Sequence, residues 1–317
     1  MSEEAPNAEV WTIGRLIAWT TDFLRRQGSE SPRLEAEILL AHALGWQRVK
    51  LYMNINEEVG ASGRAEFRKL VRKRSEGAPV AYLVAHKEFY SLDFEVDESV
   101  LIPRPDTETL VMTFLELAKP LKRPLCVDVG CGSGCIPVAC CKQHPTSRFV
   151  AIDLSEKAVS VARRNVEKHG LQERIDVRAG NLLEPLKPDE TPDFIVSNPP
   201  YIPSSEIPKL DRDVRDFEPH SALDGGPDGL RIVRELVDRS AEKLAGGGYL
   251  LIEIGHDQGE IVKSLFEADP RWRSVILRKD LGGVPRVVVL QKTGEQVGLN
   301  RPGNVAASPV RTGSEPA

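Results

Sequence analysis

An excess of basic charge, a paired set of cysteines and a long apolar run are all missing from this 317-residue chain. With 42 Lys and Arg against 47 Asp and Glu, the net charge is −5, so no strong positive field draws the whole protein to nucleic acid. A local basic patch is still allowed. The five cysteines are an odd number in a long chain, which argues against a disulfide framework and for a reducing compartment. No apolar run nears the ~20 residues that a membrane span requires. The opening Met-Ser-Glu-Glu lacks the positive-then-apolar pattern of a secretory signal. The expectation is a cytoplasmic, monomeric protein without contact to membrane. What is present is an ordinary globular mixture, 41% hydrophobic and 28% charged, long enough for one large domain and a smaller one.

Residues 11–76 have the pattern of short helices. Ser31-Pro32 offers an N-cap and a proline at the first helical position, Leu34, Ile38, Leu39 and Ala43 share a face, and Gly45 stops the helix. A second helix starts near Ser62 and turns Phe67, Leu70 and Val71 inward. Val80–Val84 and Phe89–Val96 then have the composition of two strands of a β-hairpin. From Leu125 onward strands and helices alternate. Leu125–Val129, Arg148–Ile152, Arg174–Val177, Asp193–Ser197 and Tyr249–Ile254 are short apolar strands. The stretch Ser155–His169 between two of them is amphipathic, with Ala158, Val161, Ala162, Asn165 and Val166 on one side. Such alternation predicts an α/β fold whose mostly parallel sheet is covered on both faces. The expected divisions are a helical domain at 1–78, a hairpin linker at 79–98, the α/β domain at 99–292 and a disordered Gly-, Pro- and Ser-rich tail at 293–317.

Two turns carry the chemistry. Val127-Asp-Val-Gly-Cys-Gly-Ser-Gly134 follows the first strand and opens a helix. The dinucleotide fingerprint would need glycine at 135, where Cys135 stands, and the phosphate loop fails for want of Lys-Ser/Thr. An acid two residues before G-x-G-x-G resembles motif I of S-adenosylmethionine-dependent methyltransferases. That ligand is cationic at its amino group and its sulfonium, so Asp128 beside it would be favourable. Asp153, at the end of the second strand, can take both ribose hydroxyls. A plain tight turn, with Asp153 capping the next helix, is the competing explanation.

The second turn, Asn198-Pro199-Pro200-Tyr201, follows an apolar strand at the edge where open α/β sheets bind ligands. Its prolines remove two donors and stiffen the chain. The Asn198 oxygen and a proline carbonyl offer two acceptors to one NH₂ group, and Tyr201 offers a flat wall. The turn resembles that of enzymes that methylate planar nitrogens, either base amines or the glutamine amide. An ordinary proline-rich turn would have no such role.

With these turns stand Pro79-Val-Ala-Tyr-Leu83, Glu88-Phe-Tyr90, Leu101-Ile-Pro-Arg-Pro-Asp-Thr-Glu108, Phe217-Glu-Pro-His-Ser-Ala-Leu-Asp-Gly-Gly226, Asp228-Gly-Leu230, Glu253-Ile-Gly255 and the Asp280–Arg286 stretch. Together, over about residues 10–291, the chain resembles the HemK/PrmC family of peptide-chain release factor glutamine N5-methyltransferases. The resemblance implies a class I, Rossmann-like methyltransferase domain with a seven-stranded sheet. It implies S-adenosyl-L-methionine as cofactor, bound by Asp128, Gly130, Cys131, Gly132, Ser133, Gly134, Asp153, Leu182 and Asn198. It implies Asn198, Pro199, Pro200 and Tyr201 as the glutamine-binding turn, with Asn198, Pro199 and Tyr201 catalytic. The partners it implies are class 1 release factors, methylated at the glutamine of their GGQ motif. Leu182 replaces an aromatic residue common in the family, and Ala85 replaces a glycine, which suggests a slightly different turn there. A nucleic-acid amine methyltransferase and a ribosomal-protein glutamine methyltransferase are the alternatives.

Arg64, Arg68, Lys69, Arg72, Lys73 and Arg74 crowd one short helix. Either they form a solvated face, or they dock an acidic patch of the substrate protein. Cys126, Cys131, Cys135, Cys140 and Cys141 cluster without C-x-x-C spacing, so small buried residues are expected rather than a metal site. Glu218 and Asp224 either order the substrate entrance or bond within their loop. Arg104 and Thr107 are expected only to start their helix, at Pro105.

Overall fold

The computed structural model describes residues 10–294; the tail expected at 293–317 lies almost wholly outside that range. The described chain groups into two units: residues 10–86 with Asp211–Phe217, and residues 87–210 with 218–294.

The first unit is helical: α1 (Ile13–Arg26), α2 (Pro32–Leu44), α3 (Arg48–Met53), α4 (Ala61–Ser75) and α5 (Val80–Val84). Thr12 caps α1 by accepting from the Arg15 amide, and Gly45 ends α2 in the left-handed region, φ 64°. Phe67, Leu70 and Val71 of α4 are buried as expected. The expected inner face of α2 is only partly correct. Leu39 is buried, but Leu34 is 42% exposed, and Ala36, Leu40 and Ala41 face inward instead. α2 packs against α1, α4 and α5, so its buried arc is wider and differently placed than one stripe suggests.

Val80–Val84 is a helical turn, not a strand, which corrects the hairpin assignment. Pro79 presets the entry, and Val80, Leu83 and Val84 pack on the helical core, so packing overrides the strand propensity of valine. The hairpin proper is β1 (His86–Phe89) and β2 (Leu92–Glu95), joined through Tyr90 and Ser91, both left-handed at φ 52° and 58°.

In the second unit follow α6 (Glu108–Ala118), β3 (Leu125–Val129), α7 (Cys135–Gln143), β4 (Arg148–Asp153), α8 (Glu156–Lys168), β5 (Ile175–Ala179) and β6 (Phe194–Ser197). α9 (Arg212–Phe217) returns to the first unit. Then come α10 (Arg231–Lys243), β7 (Tyr249–Glu253), α11 (Gly259–Phe266), β8 (Trp272–Lys279) and β9 (Pro285–Lys292). The seven strands lie in the order β5-β4-β3-β6-β7-β9-β8, the first five parallel and β9 antiparallel to both its neighbours. Fully buried side chains fill both faces. Phe114, Phe149 and Phe194 meet edge-on on one, and Ile152, Ile195 and Leu236 pack on the other. The order reverses between β4 and β6, on either side of β3, which opens a crevice at their carboxyl ends.

Candidate active site

That crevice is a cavity of about 260 Å³ lined by the ends of three parallel strands. Gly130, Cys131, Gly132 and Ser133 come from β3, Asp153 from β4, and Asn198, Pro199 and Pro200 from β6. Leu182 lines it as well. The two turns thus meet in one site.

The glycine turn has φ 72° at Gly130 and 52° at Gly132, and a Cβ added at either would meet nothing within 4 Å. Both positions therefore need glycine for conformation and leave open space for a ligand. Asp153 Oδ2 accepts from the Gly132 amide and Oδ1 from the Ser155 amide, each at 2.9 Å. Burial raises its carboxyl above the ordinary range while these two amides oppose the rise. The helix α8 is capped instead by Ser155, whose hydroxyl accepts from the Ala158 amide. Asp153 is thus left on the cavity wall with lone pairs to spare, and a pair of vicinal hydroxyls fits there. Asn165, a polar residue on the buried face of α8, donates to the Ser133 carbonyl and the Glu95 carbonyl at 2.9 Å each and so anchors the turn.

Asp128 does not reach the cavity. It is fully buried within β3, neither oxygen has a hydrogen-bond partner, and burial beside Asp153 pushes its carboxyl well above the usual range. The cation-facing role expected of it is not what this geometry offers, because its side chain is sealed on the sheet face beneath α7, near Cys135 and Cys140. Leu182 covers part of the wall in a left-handed conformation, φ 48°, which a leucine rarely adopts.

Asn198 Nδ2 donates to the Thr107 hydroxyl at 3.0 Å. Thr107 is 2% exposed and, with Arg104, belongs to the cavity wall. Neither residue is a mere helix starter, and the Pro-Arg-Pro-Asp-Thr-Glu motif was the signal for both. Tyr201 lies just outside the lining. Its carbonyl accepts from Gln258 Nε2 at 2.9 Å, and burial pushes its phenol up to about 12, with Glu253 adding to the rise and Arg286 opposing it. Its backbone thus ties the turn to Gln258, while its phenol lies near Glu253, Asp106, Arg104 and Arg286. At Gly229 an added Cβ would stand 2.2 Å from the Tyr201 carbonyl oxygen, so only glycine lets that strap pass. Glu218, buried, accepts from the Ile102 amide at 3.1 Å and from the Arg104 guanidinium. Asp224 accepts from the Ser204 hydroxyl and the Gly226 amide at 2.7 and 2.9 Å. Both acids order the loops around the site. Arg286 pairs with Asp106 and Asp280, at 2.9 and 3.0 Å, which brings the Asp280–Arg286 stretch to the Pro105-Asp106-Thr107 turn.

All five cysteines are buried and unpaired, and burial raises each thiol. Cys131 and Cys135 also touch the cavity. Among the described residues no group of three His, Cys, Asp or Glu side chains is placed to hold a metal ion, and no helix is long and apolar enough to cross a membrane.

Comparison with known proteins agrees with this geometry. Residues 15–84 match the PrmC N-terminal domain and residues 105–209 the methyltransferase small domain. A release factor glutamine methyltransferase of Rhodopirellula baltica is 45% identical over 91% of this chain and 99% of its own. Another, of Geobacter sulfurreducens, is 42% identical over 88% of this chain and 96% of its own. Among solved structures, the hMettl16 catalytic domain bound to a 3′UTR hairpin superposes with TM-score 0.52 at 16% identity, covering 71% of this chain and 81% of that one. That likeness concerns the fold, a class I methyltransferase. With identity at this level along nearly the whole length, the chain belongs to the release factor glutamine methyltransferase family.

Proposed function

We propose that this protein transfers a methyl group from S-adenosyl-L-methionine to the side-chain amide nitrogen of the GGQ glutamine in class 1 peptide-chain release factors. One observation carries the reading: Asn198, Pro199 and Pro200 line the same cavity as the glycine turn and Asp153. Gly130 to Gly134 would hold the methionyl part by their backbone, Asp153 the ribose hydroxyls, and Leu182 a face of the adenine. Bound there, the cofactor supplies a methyl carbon on a cationic sulfur, so a C–N bond can form as the C–S bond breaks.

The residues of the chain have a positioning task. An amide nitrogen is a poor nucleophile because its lone pair is delocalised. Two fixed acceptors, the Asn198 oxygen and a proline carbonyl, grip its hydrogens, favour pyramidalisation and aim the lone pair. A general base is unnecessary, because the alkylated amide cation is strongly acidic and loses its proton to water. The compartment that goes with this substrate is the cytoplasm.

The test uses labelled adenosylmethionine with whole release factor or with total nucleic acid. Label should enter the release factor at the GGQ glutamine, and Asn198→Ala should slow this by about 100-fold or more, in the range of losing one oriented transition-state contact. Label entering nucleic acid and not release factor would overturn the assignment.

A further inference from the structure

Glu253 ends β7 at 1% exposure, and the methyl transfer described above makes no use of it. Its Oε2 has no hydrogen-bond partner. Burial pushes its carboxyl up to about 7; Thr107, Arg286 and Asn198 oppose the rise and Asp106 adds to it. Tyr201 and Cys135 are the other titratable groups that face it. A carboxyl group buried beside the reactive turn with an unpartnered oxygen calls for an explanation.

The donors and acceptors around it give one. Asn198 donates one amide hydrogen to the Thr107 hydroxyl at 3.0 Å, and it follows β6 where Glu253 ends the neighbouring parallel strand β7, so that Thr107 and Asn198 both favour the ionised form of Glu253. An ionised carboxylate can only accept. The NH₂ end of Asn198 is therefore the end that must face Glu253 and Thr107. The Thr107 hydroxyl, having accepted from Asn198, gives its own proton to the carboxylate. Oδ1 of Asn198 is then the end left for the cavity. We propose that Glu253, directly and through Thr107, is the positioning residue that fixes the amide orientation of Asn198 and presents Oδ1 to the substrate NH₂. The proposal rests on the reading that Asn198 grips the glutamine amide.

Protonation reverses the chain of donors. A neutral Glu253 can donate to the Thr107 oxygen, whose own hydrogen then seeks the Asn198 oxygen. The amide turns over, and its NH₂ meets the substrate NH₂ donor to donor. Methylation therefore falls on the acid side of neutrality.

The experiment uses the full chain, adenosylmethionine and a short Gly-Gly-Gln peptide, with kcat measured from about pH 5.5 to about 9. The wild type should show one acid inflection, about tenfold in rate per pH unit below it. Glu253→Gln should lower kcat by about tenfold or more at pH 8, abolish the inflection and leave the KM for adenosylmethionine within about twofold. Thr107→Val should lower kcat similarly, and Thr107→Ser should restore it, so the pair decides the matter even if Glu253→Gln folds poorly. Wild-type rate and an unchanged acid limb in Glu253→Gln, or equal loss in Thr107→Val and Thr107→Ser, overturns the positioning role alone. Release factor and peptide that the wild type both leave unmethylated, or a peptide that Asn198→Ala methylates equally well, removes the functional reading and this proposal with it.

Discussion

Ala85 shows what one side chain does where a family prefers none. It ends α5 with φ 59°, in the left-handed region that favours glycine. An L-residue there is strained by roughly 1–2 kcal/mol, and glycine gives back part of that relief through its greater unfolded-state freedom. Ala85→Gly should therefore raise stability by about 0.5 kcal/mol, seen as a rise in the denaturant midpoint at unchanged slope. The site residues divide by the same kind of local reasoning. Gly130, Gly132, Asp153 and Asn198 were legible because their chemistry is bound to a turn following a strand. The part of Glu253 was not, because glutamate is a common residue and only its burial beside Asn198 gives it one.

At the scale of elements, α4 illustrates how far a charge run can be trusted. Of its six basic residues, Arg74 is spent in a two-pronged pair with Glu35 at 2.9 and 3.0 Å, only 15% exposed. Lys69 pairs with Glu66 within the helix and Arg72 with Glu76 just past its end, at 3.0 Å each. Arg64, Arg68 and Arg72 border a groove of about 300 Å³ with Trp19, Phe23 and Phe67, in which Trp19 and Phe23 stack. Exposed pairs of this sort are weak, so the arginines can exchange partners. If the groove docks the substrate protein, Arg68→Glu with Arg72→Glu should lower kcat/KM on whole release factor by about tenfold and leave a short Gly-Gly-Gln peptide unaffected. Equal rates on both substrates, or equal losses, would refute docking there. The helical turn at Val80–Val84 carries the opposite lesson: its composition suggests a strand, and only the apolar bed formed by α2 and α4 makes it helical.

For the whole molecule, the stability of the fold is tied to pH through the same carboxylate that orients the site. Glu253 goes from an ordinary 4.5 to about 7 in the folded chain. Between those values the folded protein keeps a proton that the unfolded chain has lost. The contribution is complete below 4.5 and lost as pH rises through 7, about 3 kcal/mol in all. Glu253→Gln should flatten that part of the profile, so its Tm relative to the wild type should be higher at about pH 8 than at about pH 5. The sequence by itself determined the alternation that makes a parallel sheet, the two turns at its carboxyl edge and the helical character of the N-terminal region. These follow from local rules, namely apolar period, proline and glycine geometry, and strand-to-turn order. Tertiary structure alone decided that Asp128 is sealed on a buried face of the sheet, that Gln258 holds the Tyr201 carbonyl, and that residues 211–217 group with the N-terminal helices. It also decided that Glu253 is buried at the end of the strand beside that of Asn198. Those outcomes depend on which groups far apart in the chain exclude water from one another, and no spacing along the chain records that.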